Sequence, residues 1–483
     1  MMTTSSTAAA AIRCTPTRSA VRSASVFLLV STAAVMPCLW HARIAASDLG
    51  SHLYSAWLAL GIGRGNYPGL YLAPVHTNVL FDIIATRLLS WFQPSTAERI
   101  AVSSCVLVFF WGAFSAVSAL TERRNWGITP LLLVLAHGFV FQLGLMNFYL
   151  SAGIALFALA LLWRPSLTRL PLACALLGLA AVAQPMAPLW VALCIVYKMV
   201  FERFPRYRLW LLAAGVVVTA AGNAVLLVFM PTSWSFSLRR HATGAEQALI
   251  FGFDYNLIAL AFLILGVVLF VRRCRFDWRF WIHDVVAHYW VLLIAAGTIL
   301  PDEIVLRQYA MPYGGITERL SFFAAVIGIA VIAVLRPRRT DIAAMAIIAI
   351  AFFLMLYRDT GRLSKIQRQF DNIVRRFPPQ QRFVSGLMDY RTTRVGRLYH
   401  MLGRACIGRC FDYGSYEVAT GQFRLRARGP NPFIQIDFNP NVAEKFRNTN
   451  PGMTLYNIDW CRPASDELCV KEIALQQASA ERP

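Results

Sequence analysis

The strongest constraint on the fold of this chain is a series of apolar runs that approach the length of a lipid bilayer. Of its 483 residues, 57% are hydrophobic and only 15% are charged. About 20 apolar residues in a helix cross the hydrocarbon core. Because lipid cannot hydrogen-bond the backbone, helices are the natural spanning element. The composition therefore predicts an all-α polytopic membrane protein.

The positive charge of the chain lies at the ends of these apolar runs. The formal net charge is +21, and arginines in short loops are typical of cytoplasmic loops, so nucleic acid is not an expected partner. Arg13, Arg18 and Arg22 precede the first run without any acid, which predicts a cytoplasmic segment over residues 1–24. A secretory signal peptide is the alternative interpretation of this start. Under either interpretation residue 48 lies on the outer side of the membrane.

Placing every short basic loop inside predicts about eleven spanning helices, with the N-terminus in the cytoplasm and the C-terminus outside. These spans form a membrane module over residues 25–357 with a long outer loop at 43–96. The predicted spans cover residues 25–41, 97–120, 128–144, 148–163, 170–184, 186–200, 209–229, 257–271, 285–300, 319–335 and 342–357.

The outer loop is predicted to carry two amphipathic helices at the membrane surface. A spanning helix over residues 71–92 would export the basic loops "ERRN" and "RPRR", so this stretch is predicted to lie in the interface. It contains His76, Asp82 and Arg87 at near-helical spacing among apolar residues. The loop therefore places polar side chains at the boundary between lipid and the outer water.

The stretch "SDLGSHLYSAWLALG" opens this loop. In a helix, Asp48, His52 and Ser55 share one face, with apolar residues such as Leu53 and Trp57 on another. The acid is then held at the membrane surface and faces water. A carboxylate in this position can take a proton from an alcohol. The alternative is that Asp48 only caps the helix, a position that Asp favours.

These features resemble the GT-C superfamily of integral membrane glycosyltransferases. The resemblance lies in the cytoplasmic N-terminus, one helix, a long first outer loop with the order "D…H.Y.A", and the next span "AERIAVSSCVLVFFWG". It covers roughly residues 20 to 230 in topology. It implies a sugar donor carried on polyprenyl phosphate and a catalytic first-loop acid, here Asp48. It also implies substrate contacts from His52 and Tyr54.

The chain departs from the pattern of the metal-dependent members, many of which pair two acids in this loop. Asp48 is followed by Leu49, and the next acid of the loop is Asp82. A metal-independent mechanism with Asp48 as the general base is the simpler expectation. A divalent cation, Mg²⁺ or Mn²⁺, is the possible cofactor, and no ligands are assigned to it.

A leaving polyprenyl phosphate is an anion, so positive side chains should stabilise it. The outer loops offer Arg64, the pair Arg239 and Arg240, and Arg319 as candidate phosphate ligands. Alternatively, Arg239 and Arg240 bind lipid headgroups. Arg319 has its own alternatives, since it can pair with Glu318 or extend towards the headgroups.

Residues 358–483 lack any run long enough to span a membrane and are predicted to form a small exported α/β domain. An amphipathic helix should open it, followed by strands in "RFVSGLMD" and "QFRLRARGPNPFIQIDF". Its four cysteines are expected to form disulfides outside the cell. Local spacing favours two local bridges, with cross-pairing and a zinc site using His400 as alternatives. The four are Cys406, Cys410, Cys461 and Cys469.

The sequence thus predicts an enzyme of the inner or plasma membrane that transfers a sugar to an acceptor on the outer side. The expected partners are a polyprenyl-phosphate-linked sugar, membrane lipids, and a glycan, lipid or protein acceptor. No catalytic role is predicted for the C-terminal domain, which would hold the acceptor. A flippase or transporter of lipid-linked sugars and a non-enzymatic membrane scaffold are the rival interpretations.

Overall fold

The computed structural model describes residues 18–234, 243–274, 279–387, 395–396, 398–437, 441–462 and 465–473. Within them the chain is mostly helical, with a small sheet region near the C-terminus. The helices are α1 Arg18–Val35, α2 Leu49–Gly63, α3 Leu80–Trp91, α4 Pro94–Leu120, α5 Thr129–Ala136, α6 Phe139–Leu143, α7 Met146–Leu162, α8 Leu170–Ala183, α9 Met186–Arg203, α10 Arg208–Phe229, α11 Asp254–Cys274, α12 Arg279–His283, α13 Val285–Ile299, α14 Ile316–Val334, α15 Arg339–Arg375, α16 Met401–Cys406, α17 Glu417–Thr420 and α18 Val442–Thr449.

Six helical segments among the described residues are long and apolar enough to cross a membrane. Four other apolar helices, including α7 and α8, are shorter than 18 residues. A membrane protein is therefore the class that the helices indicate, whereas the count of about eleven spans stays a prediction. The six segments are Pro94–Leu120, Trp126–Leu143, Pro205–Phe229, Asp254–Arg272, Ile316–Val334 and Arg339–Arg375.

The centre of the bundle is packed through small residues and aromatic rings. A Cβ on Gly112 of α4 would lie 2.2 Å from the carbonyl oxygen of Gly153 of α7, so the two backbones touch. Such close approach lets helices associate in lipid, where no hydrophobic effect draws them together. Phe109 stacks on Phe322 with ring centroids 4.6 Å apart, which joins α4 to α14.

The loops that carry the basic clusters meet at one end of the bundle, which we call the basic end (residues 121–128, 163–169, 272–274, 279–284 and 336–341). Glu122 pairs with Arg164 there, and Arg272 pairs with Asp341. Ion pairs therefore connect these loops at the basic end. These ion pairs form whichever side of the membrane the basic end faces.

The opposite end, which we call the site end, gathers the turns around residues 42–48, 144–147, 184–186 and 301–315. The amide of Asp48 donates to the carbonyl of Leu143 over 3.0 Å. The side-chain amide of Gln184 donates to the hydroxyl of Tyr313. Segments that are far apart in the sequence thus form one surface at this end.

Helix α15 continues without a break from the membrane bundle into the C-terminal region. Its 37 residues extend about 56 Å, roughly twice the thickness of the hydrocarbon core. The sequence predicts a span ending at residue 357 and a separate amphipathic helix after it. The two are instead one helix, because no proline interrupts the run and the single glycine, Gly361, is tolerated inside it. Its second half buries residues such as Leu363, Phe370 and Val374 against the C-terminal region.

The C-terminal region contains a four-stranded sheet in the order β5-β4-β7-β8, formed by β4 Arg382–Val384, β5 Phe411–Asp412, β7 Leu455–Trp460 and β8 Leu468–Glu472. Only β4 coincides with a strand that the sequence predicts for this sheet. The two local cysteine pairs form the bridges Cys406–Cys410 and Cys461–Cys469. In the structure these four side chains therefore belong to disulfides rather than to a zinc site.

A second predicted strand of the tail pairs with the first loop instead. Strand β6, Leu425–Ala427, runs antiparallel to β1, Leu70–Leu72, with Tyr71 opposite Arg426. The remaining pair consists of β2 Thr232–Ser233 and β3 Glu303–Ile304. Because β1 lies between α2 and α3, β6 fixes the tail directly onto the first loop.

A buried ionic network also joins the first loop to the C-terminal region. Glu98, at the start of α4, is 1% exposed and accepts from the amide of Ile44 over 2.9 Å. The guanidinium of Arg404 lies 3.5 Å from this carboxylate and donates to the carbonyl of Ile44. Arg43 bridges Glu98 and Asp371 of α15. The charges are buried because each has an opposite partner.

Replacing Glu98 by Gln should destabilise the protein by about 3 kcal/mol, because it leaves Arg404 buried without its carboxylate. Glu122→Gln is the matched control, since that ion pair is more than half exposed and surface pairs contribute about 1 kcal/mol or less. Denaturant unfolding of both purified variants measures the difference. Equal losses would show that the Glu98 network does not hold the C-terminal region in place.

Gly50 and Gly63 of α2 provide a test of how closely the tail packs on this helix. A Cβ on Gly50 would lie 2.3 Å from the carbonyl oxygen of His400, whereas a Cβ on Gly63 meets open space. Gly50→Ala should therefore cost about 1–3 kcal/mol through overpacking. Gly63→Ala should be neutral or slightly stabilising. A thermal melt of G50A that matches that of G63A would contradict the contact.

Candidate functional site

Asp48 lies at the N-terminal end of α2 and points towards the C-terminal region. Its Oδ1 accepts from the hydroxyl of Tyr416 over 2.9 Å, and Nε2 of His400 lies 3.3 Å from the same oxygen. The side chain makes no cap hydrogen bond to the helix, so the capping interpretation is wrong. Because the Asp48 side chain is 24% exposed, a molecule arriving from water can reach it.

The environment keeps Asp48 ionised. Burial alone would raise the pKa of its carboxyl, but the hydrogen bond and charge of His400, the charge of His52 and the hydrogen bond from Tyr416 outweigh burial. The pKa of Asp48 is therefore lowered below its ordinary value. An ionised, partly accessible carboxylate is the form that a general base needs.

His52 lies one turn further along α2 and forms a buried ion pair with α3. Its Nδ1 lies 2.8 Å from Oδ1 of Asp82, and both side chains are less than 10% exposed. Asn147 of α7 donates to Oδ2 of Asp82 over 2.9 Å. Burial would lower the pKa of His52, but Asp82, Asp48 and Glu417 raise it to about 9. The imidazole is therefore a positive centre within the site.

Glu417 of α17 completes this cluster from the C-terminal region. It is 2% exposed, and its two oxygens accept hydrogen bonds from Ser51 and Ser55, one oxygen from each. Burial and the negative charge of Asp82 raise its pKa to about 7. Glu417 thus binds the polar face of α2.

Arg424 adds a second positive charge at the edge of the cluster. Its Nη2 donates to Thr86 Oγ1 over 2.7 Å and to the carbonyl of Asp82 over 3.2 Å. The side chain is only partly buried. Next to it, the ring of Phe423 makes edge contacts with Tyr416 and His52. Cationic and aromatic groups therefore border the accessible carboxylate.

The structure does not show the predicted water-facing polar side of α2. Its residues from Leu49 to Ala56 are all buried, including the polar face. The prediction fails because the partners of that face, Asp82 and Glu417, come from α3 and from a segment more than 350 residues away. Sequence periodicity of α2 alone cannot reveal such partners.

The other predicted ligands are placed less favourably. Tyr54 is fully buried, and its hydroxyl accepts from the amide of Asp412. Arg64 is exposed at the far end of α2, about 24 Å from Asp48 along the helix. Arg319 is 9% exposed and donates to the carbonyls of Gly314 and Gly315. The structure therefore does not bring these three together with Asp48. Arg239 and Arg240 lie outside the described residues.

The sequence predictions missed the contribution of the C-terminal region. His400, Tyr416 and Glu417 all contact the α2 face, although no catalytic role was expected for that region. One signal was present in "CFDYGSYEVATGQF", where a tyrosine and a glutamate adjoin between two aromatic residues. That signal does not name a partner, because a solvated strand shows the same pattern.

The cluster lacks the arrangement of a metal centre. Among the described residues, no three His, Cys, Asp or Glu side chains converge as ligands of one ion would. The Asp48 carboxylate is occupied by hydrogen-bond donors, and Asp82 by His52 and Asn147. Protein donors therefore already bind these two carboxylates.

An apolar cavity of about 340 Å³ lies elsewhere in the bundle. It is lined by parts of α5, α11 and α14 and by Trp281 and Trp290, and it includes none of the residues around Asp48. Beside it, Glu246 is 2% exposed and accepts from Ser321 Oγ over 2.6 Å. A Cβ on the neighbouring Gly244 would lie 2.4 Å from the amide of Ala325. The segment 243–248 thus enters the bundle and reaches Ala325, which lies about 14 Å along α14 from the first residue of that helix.

Comparison of the chain with protein-family models, curated proteins and solved structures found no match. The resemblance to GT-C enzymes therefore rests on the predicted topology and the first loop, and it stays a prediction.

The raised pKa of Glu417 predicts a dependence of stability on pH. A folded-state pKa near 7, against 4.5 for a free carboxyl, favours the folded state fully below about pH 4.5, and this stabilisation is lost as pH rises through 7. The side chain of the Glu417→Gln variant is uncharged at every pH. Wild type and E417Q should melt alike at pH 4.5, and E417Q should melt higher at pH 8. Thermal melts with a constant difference across this range would contradict the buried, protonatable carboxyl.

Proposed function

We propose that the protein is an integral membrane glycosyltransferase that takes its sugar from a polyprenyl-phosphate carrier and uses Asp48 as the general base. The observation that carries the proposal is the accessible, ionised carboxylate of Asp48 in an otherwise buried polar cluster at the site end. A titratable group whose pKa is shifted by specific charged partners is a functional-site candidate.

The proposed reaction is a displacement at the anomeric carbon of the donor sugar. A hydroxyl of the acceptor attacks this carbon while Asp48 takes the hydroxyl proton. The bond between the anomeric carbon and the phosphate oxygen breaks, and polyprenyl phosphate leaves with the electron pair. The positive charge of His52 and the guanidinium of Arg424 at the edge of the cluster favour the developing phosphate anion. They replace Arg64 and Arg319 as the proposed phosphate-stabilising groups.

We further propose that the site end faces the outer side of the membrane. The clustering of arginine loops at the basic end supports this orientation, since such loops remain in the cytoplasm. The C-terminal region, which packs on α2, is then exported together with its two disulfides. A glycan, lipid or protein acceptor would reach Asp48 from this side.

The proposal predicts that Asp48→Asn abolishes transfer. Purified wild type and variant are incubated in detergent with a panel of polyprenyl-phosphate sugars, and released polyprenyl phosphate is measured by mass spectrometry. The variant should lose at least about 100-fold in rate, the contribution typical of a general base. Glu303→Gln, an acid at the same end whose carboxylate contacts Ser233, should stay within about twofold. Equal rates for wild type and D48N would remove Asp48 from the mechanism.

Transport of a lipid-linked sugar is the second candidate, and Glu246 favours it. Ionisable side chains buried at membrane depth mark transport pathways in many proteins. The adjoining apolar cavity offers room for a hydrocarbon chain. Flux of a lipid-linked sugar across vesicles that Glu246→Gln abolishes and D48N leaves unchanged would establish transport in place of transfer.

A further inference from the structure

The segment around His400 has a backbone conformation that its residue type disfavours. His400 has φ +62°, in the left-handed region, which costs a side chain with a Cβ about 1–3 kcal/mol and persists where the surroundings impose it. Its carbonyl packs on Gly50 and accepts from the amide of Arg404. Glycine would satisfy these backbone contacts at lower cost. The backbone contacts alone therefore do not explain why this position carries an imidazole.

The imidazole is placed between Asp48 and water. Nε2 lies 3.3 Å from Oδ1 of Asp48, and the His400 side chain is 20% exposed. The ring lies 4.8 Å from the ring of Tyr416, whose hydroxyl occupies the same carboxylate oxygen. Both neighbours come from the C-terminal region, and together they fix the direction in which the carboxylate points.

We propose that His400 is a positioning residue that holds Asp48 ionised and transfers to water the proton that Asp48 takes from the acceptor. This inference rests on the proposed function. After each transfer, protonated Asp48 gives its proton to Nε2 of an imidazole whose own proton is on Nδ1, the Nδ1 proton passes to water, and proton exchange with water restores the Nδ1–H tautomer before the next transfer. The imidazole then returns to its neutral form and Asp48 to its carboxylate, so that no proton accumulates in the site.

The other titratable neighbours are less suited to this step. His52 is 5% exposed and paired with Asp82, so its proton has no direct path to water. Burial and the charges of Asp48 and Glu417 raise the pKa of Tyr416 well above its ordinary value, so its hydroxyl donates and does not act as a base. Asp412, which also interacts with His400, is 7% exposed, and burial raises its pKa to about 6.

The test is His400→Gly, which removes the imidazole and relieves the backbone, so the variant should fold. Infrared titration, with D48N as the reference that identifies the Asp48 band, follows protonation of this carboxyl. Loss of the hydrogen bond and charge of His400 should move the Asp48 titration to higher pH by about one unit. An unchanged titration would overturn the proposal, whether or not any sugar substrate has been found.

The turnover assay forms the second arm. H400G should lose about 10–100-fold in rate, and free imidazole should restore activity in proportion to its concentration. His41→Gly is the matched control, since the His41 ring lies at the same end with Nε2 2.9 Å from the carbonyl of Tyr357; imidazole should not alter its rate. Full activity in H400G, or a loss that imidazole does not restore, would overturn the proton-transfer step. Failure of the wild type to use any donor would instead count against the proposed function.

Discussion

The structure depends on the requirement that polar side chains of a buried helix find partners inside the protein. Helix α2 is enclosed on nearly all sides, and it carries His52, Ser51 and Ser55 into that enclosure. Unpaired, such groups would cost several kcal/mol, whereas paired ones are tolerated. Asp82 and Glu417 meet this requirement. The docking of α3 and of the C-terminal region is thus imposed by the chemistry of one helix.

The positive charge of His52 lies among the carboxylates of this cluster and interacts with each of them. His52 interacts with the three carboxylates of Asp48, Asp82 and Glu417, which raise its pKa, and its positive charge in turn lowers those of Asp48 and Glu417. Rigid hydrogen bonds from Tyr416 and Asn147 fix the orientation of the carboxylates. A site preorganised in this way does not have to reorient its dipoles when charge develops, which is the main source of electrostatic catalysis.

How much the sequence predicts differs between the bundle and the site. The apolar runs locate the membrane helices, and arginine placement groups the loops that meet at the basic end, because both signals are local. The order of residues in α2 correctly singles out Asp48 and His52 as neighbours on one face. His400, Tyr416 and Glu417 escaped prediction because their partners are distant in the sequence. Arg319 was a candidate phosphate ligand, and the structure shows its Nη1 donating to the carbonyls of the adjacent Gly314–Gly315 turn.

Because α15 is one continuous helix, its tilt in the membrane is coupled to the position of the residues around Asp48. One half of this helix packs in the bundle, and the other packs under the C-terminal region that carries His400 and Tyr416. A rigid rod transmits rotation, so a change of about 10° in the tilt of its lower half would displace the far end by about 5 Å. Helices adjust their tilt to bilayer thickness. A bilayer that changed the tilt of α15 would therefore also move the residues around Asp48, without any lipid binding at the site.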